Sequence, residues 1–285
     1  MSTQINKWFI EEFQTDVHAA YQQQGARLRH TVRTKNNVRG EKTHFNTAGI
    51  VGVGDKARGG NVPIITGGRG RVECTLISKY GGDYVEDIDE LKTNIDEKQV
   101  IAMSFAWAHG RHTDNLIIEA ITQDTNTHRV NDANIATGLK SAHVQEALEK
   151  LNQADVPDDG ARTALVTPHA WEELLAIDAF AKADYIGKES LPWLGGSEAK
   201  RWRNCLWMMH TGLPINTENK VASCVIFHKT AVGHAIGKEL EAQWSWENTK
   251  SAWFLNTRML QGACLIDPKG VVKIHVKNNQ PISTS

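Results

Sequence analysis

Two histidines and an aspartate lie close together in the longest helix that the sequence predicts. His109 and His112 are three residues apart, so a helix places them on one face, and Asp114 follows shortly after. Imidazole and carboxylate groups bind zinc, but a third protein ligand would have to come from elsewhere in the chain. The pattern therefore favours a pair of histidines at the surface or at an interface over a metal site.

The segment 49–54 has three glycines in the order Gly-Ile-Val-Gly-Val-Gly. A dinucleotide-binding fingerprint needs the order G-x-G-x-x-G before a helix, whereas here no apolar helix follows and Pro63 interrupts the region. No glycine precedes a Lys-Ser or Lys-Thr pair at P-loop spacing, and no serine lies in a G-x-S-x-G turn. The sequence predicts a protein that is not an enzyme and has no catalytic, cofactor-binding or metal-binding residues.

The four cysteines, Cys74, Cys205, Cys224 and Cys264, are widely separated and include no C-x-x-C pair. We therefore expect buried free thiols rather than disulfides or a zinc site. The nine tryptophans are expected to fill the core and subunit contacts rather than to stack on nucleic-acid bases.

The charge of the chain is almost balanced: 32 Lys and Arg residues face 33 Asp and Glu residues, which gives a net charge of −1. This balance argues against a dedicated nucleic-acid-binding protein, which is normally strongly basic. No apolar run reaches the about 18 residues that cross a bilayer, and the first residues lack the pattern of a secretion signal. These features predict an intracellular globular protein whose copies can assemble with little charge repulsion.

The positioning elements begin with a Gly-rich segment, residues 49–70, in which eight of 22 residues are glycine. It lies between two strand-like runs, 43–48 and 71–78, and this order predicts a long two-stranded arm with an irregular middle. An isolated hairpin is only marginally stable in water, so the arm needs a surface on which to lie. We expect that surface to belong to another copy of the chain.

Charged and aromatic segments flank this arm. Residues 5–21 predict an amphipathic helix that packs either on its own domain or on a neighbouring subunit. The basic residues 27–42 predict a solvated tether, with contact to nucleic acid or to acidic neighbours as an alternative. The acidic residues 83–97 are either a solvated helix face or a partner for the basic segments in a head-to-tail ring. The candidate inter-subunit contact residues are Trp8, Phe9, Phe13, Arg27, Arg29, Arg33, Lys56, Arg58, Arg69, Arg71, Asp83, Glu86, Asp87 and Glu90.

The rest of the chain predicts a rod-like helix and a mixed body. Residues 97–122 form the longest predicted helix, with Gly110 as its only weak point. The other predicted helices are 141–153, one that begins at Thr167-Pro168, and a short one at 230–237. The predicted strands are 163–166, 204–210, 221–227, 251–266 and 271–277, with a turn at 267–270.

These parts, in this order, resemble the major capsid proteins of tailed phages, which have the HK97-type capsid fold. The resemblance covers nearly the whole chain. It is strongest at residues 28–34 (LRHTVRT), 82–97 (GDYVEDIDELKTNIDE) and 261–274 (QGACLIDPKGVVKI). It implies an α+β fold with five parts: an N-terminal arm (1–42), an extended β-hairpin loop (43–80), a peripheral domain with a spine helix (81–130), an axial domain (131–248), and return strands of the peripheral domain with the C-terminus (249–285).

The resemblance also implies a function. Copies of such a protein assemble into pentamers and hexamers of an icosahedral shell around double-stranded DNA, first in the host cytoplasm and then as the virion capsid. The implied partners are further copies, a separate scaffolding protein, a portal protein, in some members a decoration protein, and DNA without sequence specificity; no membrane or cofactor is implied. Some members crosslink a loop lysine to an asparagine near the chain end, for which Lys56 and Asn278 are the nearest candidates, although we expect no crosslink here.

Two alternatives stay open at this point. A shell protein of a cellular nanocompartment would have the same fold and a different cargo. An intracellular α/β nucleotide-binding enzyme would be a different class of protein, but a loop as long as 43–80 is unusual in a compact enzyme unless it acts as a lid.

Overall fold

The computed structural model describes residue 23 and residues 25–86, 97–131, 137–177, 180 and 199–279. Its helices are α1 (Glu97–Thr122), α2 (Ser141–Gln153) and α3 (Pro168–Leu175), with 3-10 turns at Arg29–Thr31, Lys229–Ala231 and Pro268–Gly270. Its strands are β1 (Arg33–Lys35), β2 (Lys42–Ala48), β3 (Arg69–Thr75), β4 (Ile77–Glu86), β5 (His128–Val130), β6 (Arg162–Val166), β7 (Ala199–Trp202), β8 (Cys205–Met209), β9 (Ile215–Asn216), β10 (Val221–His228), β11 (Val232–Glu247), β12 (Ala252–Leu265) and β13 (Val271–Lys277).

The first sheet has four strands in the order β1-β11-β12-β4. The long strands β11 and β12 pair antiparallel, and β4 pairs along the other edge of β12. Helix α1 packs across β12, β11 and β4. The helix comes very close to β4: a Cβ added to Gly81 would lie 2.7 Å from the ring of Phe105 on α1. A larger residue at position 81 would therefore push the spine helix away from its sheet.

The second sheet separates two hydrophobic cores. Its strands follow the order β5-β13-β10-β6-β8-β7, with β9 paired to β10. Along β10, Cys224 and Ile226 face the core under α2 and α3, whereas Val225 and Phe227 face the core under the end of α1. This alternation is the period of two that strands impose on their side chains. Because both faces are covered, all of β6 and most of β10 are buried.

An aromatic cluster fills the core below α3. Phe180 lies edge-on to Trp171, Trp202 and Trp207, with ring centroids 5.5 to 6.1 Å apart. Edge-to-face contacts of this kind add about 0.5–1.5 kcal/mol per pair to the gain from burial. The prediction that tryptophans fill the core is confirmed for these three tryptophans.

A third sheet is the hairpin β2–β3, paired from Lys42 opposite Thr75 to Ala48 opposite Arg69. Its base packs on the first sheet through Phe45 and Cys74, which are buried in a small core of their own. Residues 49–68, which connect the two strands, are almost entirely exposed. The predicted two-stranded arm is confirmed, although the second strand ends at Thr75 and the chain then enters β4.

Several other sequence predictions can be compared with these elements. The helices 97–122 and 141–153 and the helix start at Thr167-Pro168 are confirmed, and the Thr167 hydroxyl accepts a hydrogen bond from the N–H of Ala170. The prediction of a short helix at 230–237 is wrong, because β11 begins at Val232. Its apolar residues Val232, Ala235 and Ile236 are buried, which suits a central strand as well as a helix.

The prediction that residues 27–42 form a solvated tether is also wrong. Within residues 27–42, Leu28, Val32 and Val38 are buried, and β1 pairs parallel to β11. Three apolar residues spread over eleven positions show no helical or strand period, so their burial was not visible in the sequence. The segment is therefore a docked part of the body rather than a tether.

One buried lysine connects α1 to the second sheet. The ammonium group of Lys273 on β13 donates to the carbonyl oxygen of Thr122, at 2.7 Å, and to that of Asp124. These carbonyls lie at and beyond the C-terminal end of α1, where a positive charge is stabilised by the helix dipole. Burial lowers the pKa of Lys273, and both carbonyls compensate for the lost water.

We expect Lys273→Met to lower the free energy of unfolding by about 2 kcal/mol. Methionine keeps the length of the side chain but leaves two carbonyl oxygens without their charged donor. Urea unfolding of the unassembled chain measures the loss. Lys269→Met removes the same charge from an exposed position and serves as the control. Equal losses in both variants would contradict the capping role.

Candidate assembly site

The N-terminal part of the described chain is held on α1 by one buried carboxylate. Asp114 is fully buried, and its Oδ1 accepts hydrogen bonds from the backbone N–H groups of Arg27 and Leu28, each at 3.0 Å. The side-chain amide of Gln23 donates to Oδ2. A buried carboxylate is tolerated only when donors replace its lost hydration, and here the arm supplies most of them. We call residue 23 together with residues 25–38 the docked arm.

The remaining donor to Asp114 comes from the second sheet region. His210 is buried, and its Nε2 lies 3.3 Å from Oδ2 of Asp114. Its Nδ1 accepts a hydrogen bond from the N–H of Gly212 at 2.9 Å. This acceptor role assigns a proton to Nε2, which donates to Asp114. The arm, α1 and the second sheet thus meet at one carboxylate.

The docked arm crosses α1 at a glycine. A Cβ added to Gly110 would lie 2.5 Å from the carbonyl carbon of Gly25, and Gly25 has a φ of +70°, which favours glycine. Gly110, the residue least favourable to the predicted helix, is therefore the place where the docked arm crosses α1. Beyond it, the Arg29 guanidinium pairs with Glu239, with Nη1 2.9 Å from Oε2.

Two buried polar pairs connect α1 to β12. The Thr257 hydroxyl donates to the carbonyl of Gly81 at 2.8 Å and accepts from His109 Nε2 at 3.0 Å. The hydroxyl of Thr113 lies 2.8 Å from the amide oxygen of Gln261. The interpretation of His109 as a surface or interface residue is therefore wrong: it is buried inside its own chain.

Three histidines of this region are kept neutral by their surroundings. Burial lowers the pKa of His109, of His112 and of His234, and Lys79 lowers the pKa of His112 further. His234 Nε2 lies 3.3 Å from the amide oxygen of Gln261, while its buried Nδ1 has no hydrogen-bond partner. Among the described residues no group of three or more His, Cys, Asp or Glu side chains could hold a metal ion.

The hairpin tip presents apolar side chains to solvent. Ile50, Val53 and Ile64 are 94%, 101% and 95% exposed, and Val62 is 70% exposed. Large apolar groups clustered at an exposed site are typical of an interaction surface. We call residues 49–68 the hairpin tip.

Charged candidates lie on the hairpin and on β4. Lys56, Arg58, Arg69 and Arg71 are exposed on or beside the hairpin tip. Asp83 and Glu86 are exposed on β4, which forms one edge of the first sheet. The hairpin therefore carries exposed positive charge and the sheet edge exposed negative charge within one chain.

The other candidate contact residues are placed differently. Arg27 and Arg29 lie in the docked arm with the partners described above, and Arg33 stacks over the ring of Phe45 at 5.8 Å. Trp8, Phe9, Phe13, Asp87 and Glu90 lie outside the described residues.

The two residues of the candidate crosslink have different surroundings in the single chain. Lys56 is exposed on the hairpin tip, whereas the side-chain oxygen of Asn278 accepts a hydrogen bond from the Thr167 hydroxyl at 2.9 Å. The backbone N–H of Asn278 donates to Lys220. Asn278 is thus fixed in the second sheet region by two hydrogen bonds.

The sequence singles out Asp114, His109 and Gly110, but it does not indicate their partners, because each contact joins residues that are far apart in the chain. None of the described helices is both long enough and apolar enough to cross a membrane.

Comparisons with known proteins agree with this geometry. A family model described as phage capsid protein matches residues 5–278. No curated protein matches the chain. Among solved structures, the chain is similar to the capsid of cyanophage P-SCSP1u, with 13% identity, a TM-score of 0.71, and coverage of 98% of this chain and 96% of that one.

Two further structures extend the comparison. A structure of Mycobacterium phage Che8 has 16% identity and a TM-score of 0.66, with coverage of 94% of this chain and 97% of that one. A virus-like particle from Pyrococcus furiosus has 13% identity and a TM-score of 0.55, with coverage of 88% and 92%. At these identities the likeness shows the fold.

We expect Asp114→Asn to release the docked arm and to lower the free energy of unfolding by about 3 kcal/mol. The amide has one acceptor oxygen, and its NH₂ group faces donors that only a carboxylate can satisfy. Urea unfolding gives the energy, and limited proteolysis within residues 27–42 reports the release. Glu119→Gln removes a charge from the exposed face of the same helix and should change neither result.

We expect stability to fall as the pH is lowered from about 7.5 to about 5.5. Histidines with a lowered pKa stay neutral in the folded chain but take up protons when unfolded, so the stability is full above about pH 6.5 and is lost below it. Each fully neutral buried histidine contributes up to about 1.4 kcal/mol per pH unit. Thermal unfolding across this range measures the slope.

The control for this prediction is a pair of variants. His234→Gln should reduce the slope, because burial lowers the pKa of His234. Arg29 lowers this pKa further, whereas the hydrogen bond with Gln261 and the charges of Glu239 and Asp114 raise it. His44→Gln changes an exposed histidine of the hairpin and should leave the slope unchanged. A slope that is the same in all three proteins would contradict the assignment.

Proposed function

Because this chain belongs to the phage capsid protein family, we propose that its copies assemble into the pentamers and hexamers of an icosahedral shell that encloses double-stranded DNA. The chain is a major capsid protein of the tailed-phage type and has the HK97-type fold. The proposal concerns what the copies do together. Its support comes from surfaces that a single chain leaves exposed.

The exposed hairpin tip carries the proposal. Covering side chains such as Ile50, Val53 and Ile64 would stabilise a contact by about 1.5–3 kcal/mol each. The hairpin base is already packed on its own body, so the tip projects from a fixed root. A second copy of the chain is the occupant that this surface fits best, because every copy offers the same tip and the same acidic sheet edge.

Charge complementarity supports a head-to-tail arrangement. We propose that the basic hairpin residues Lys56, Arg58, Arg69 and Arg71 approach Asp83 and Glu86 of a neighbouring copy. Two different patches of identical subunits make a heterologous contact, which closes into a ring when the rotation allows. The remaining contact candidates in the N-terminal segment and the acidic segment belong to the same proposal.

The five-part division is also proposed for the assembled chain, with three amendments that the strand pairings support. β11 pairs with β12 and belongs with the peripheral domain, although it lies within 131–248. β13 pairs with β10 and belongs with the axial domain, although it lies within 249–285, and β5 moves with its partner β13, although it lies within 81–130. The hairpin, the spine helix α1 and the docked arm keep their assignments.

The near-neutral charge fits a shell that encloses DNA without binding it tightly. Each lysine or arginine that neutralises a phosphate adds salt-dependent affinity, and a net charge of −1 limits that attraction. We propose assembly in the host cytoplasm with a scaffolding protein and a portal protein, and a decoration protein as a further partner. The capsid of the virion is the final location.

A second candidate function is a shell with a different cargo. The likeness to the virus-like particle from Pyrococcus furiosus, with a TM-score of 0.55, favours it as the alternative. The nucleotide-binding enzyme is no longer a candidate, because the family and the fold are those of structural capsid proteins.

Electron microscopy of the negatively stained, purified chain tests the proposal directly. Closed shells, or rings and sheets with five- and six-fold units, are expected for the chain alone or with a co-expressed scaffolding protein. A single small oligomer under all these conditions would overturn the proposal. Extraction and digestion of any enclosed nucleic acid distinguishes the two candidate functions: double-stranded DNA is expected inside a phage capsid, and a different cargo inside a nanocompartment.

We expect the triple variant Ile50→Ser, Val53→Ser and Ile64→Ser to fold but to form no closed shells, because the tip loses the apolar area that a neighbouring copy would cover. Circular dichroism measures the fold and microscopy the shells. The matched control, Asp55→Ser with Asn61→Ser and Thr66→Ser, changes three exposed polar residues of the same tip. Normal shells from the apolar variant would show that the tip is not a contact.

A further inference from the structure

Two of the four cysteines meet at the base of the hairpin. Cys74 is on β3 and Cys264 is on β12. The paired register of β12 and β4 ends where Gln261 lies opposite Ile77, and β3 pairs with β2 instead. β3 still contacts β12: Cys74 is buried in the small core at the hairpin base, and Cys264 packs against that core.

The two segments of the chain lie close together at this point, and the two sulfur atoms interact. A Cβ added to Gly262 would lie 2.1 Å from the carbonyl oxygen of Thr75. The Cys264 thiol donates a hydrogen bond to the Cys74 sulfur, and the backbone N–H of Ala235 donates to the same sulfur; these bonds lower the pKa of Cys74. Cys74 is buried, whereas Cys264 is partly exposed.

This placement fits the geometry of a disulfide. A disulfide needs a close approach of two segments, with Cα atoms about 4.4–6.8 Å apart. Gly262 and Thr75 show such an approach, two residues from Cys264 and one residue from Cys74. The other two cysteines are different. Burial raises the pKa of Cys205 and of Cys224 to about 12, which leaves them as unreactive thiols of the core.

We propose that Cys74 and Cys264 are a redox site at which an intrachain disulfide fastens the hairpin base to the long sheet when the chain leaves a reducing compartment. The oxidant is a low-molecular-weight disulfide such as glutathione disulfide. The hydrogen bond between the two sulfurs favours the thiolate on Cys74, so the proton of Cys264 moves to Cys74 as the accessible Cys264 sulfur attacks the oxidant, which forms a mixed disulfide and releases one glutathione. Cys74 loses this proton to solvent before the second step. Cys74 then attacks the Cys264 sulfur and releases the second glutathione, so two protein thiols become one disulfide as the oxidant is reduced to two thiols.

The disulfide would fix the base of the β2–β3 hairpin, whose tip makes the contact in the proposed assembly. The hairpin base is held on the first sheet by a small apolar core, whose members include Phe45, Leu76 and Ile266. A covalent link beside them removes the option of detaching β3 from β12. It also closes a loop of roughly 190 residues, which restricts the unfolded chain strongly.

Thiol counting on the purified, unassembled chain tests the proposal without reference to shells. After equilibration with glutathione disulfide at about pH 8, the denatured chain should show two free thiols instead of four. Peptide mapping should find Cys74 joined to Cys264. The Tm should rise by roughly 5–10 °C and return when dithiothreitol is added.

Matched variants complete the experiment. Cys74→Ser should give a mixed glutathione disulfide on Cys264 and no rise in Tm, whereas Cys205→Ser should behave as the unaltered chain does. Four free thiols after equilibration, a stable mixed disulfide in the unaltered chain, or a bond between other cysteines or between chains would overturn the proposal. Because each result comes from the single chain, it stands apart from the outcome of the assembly test.

Discussion

The buried carboxylate of Asp114 joins three parts of the fold. Asp114 has no access to water, so its charge is tolerated only while donors surround it, and those donors come from the docked arm and from His210. The arm can lie in this position only because Gly110 leaves room for it on α1. One electrostatic requirement therefore fixes the arm, the spine helix and the second sheet relative to one another.

Polar contacts also decide how α1 sits on its sheet. Apolar burial is not directional, so it holds the helix against the sheet without choosing among similar positions. His109 with Thr257 and Thr113 with Gln261 supply the direction, since each hydrogen bond is satisfied in a single register. Lys273 does the same at the C-terminal end of the helix. Such contacts cost stability when only one partner is removed, which makes the arrangement specific as well as stable.

Much of the fold could be predicted from the sequence, but little of the site. Helix α1, helix α2, the helix start at Thr167 and the hairpin follow from local patterns: apolar spacing, capping residues and glycine. The prediction of a helix at 230–237 is wrong because a short apolar run does not distinguish a helix from a central strand. The docked arm and the partners of Asp114 depend on residues 86 to 96 positions apart, which no local pattern records.

The strand order determines when each sheet can be completed during the synthesis of this protein. β1 pairs with β11, and Arg33 lies opposite Gly233, which a ribosome adds roughly 10–40 s later at its usual rate. β13 is inserted between β5 and β10, so the second sheet is incomplete until residue 277 has been made. Nascent chains that are crowded on one messenger RNA therefore cannot present a finished body to one another. Translation itself therefore delays any contact that needs the finished body until these strands have been made.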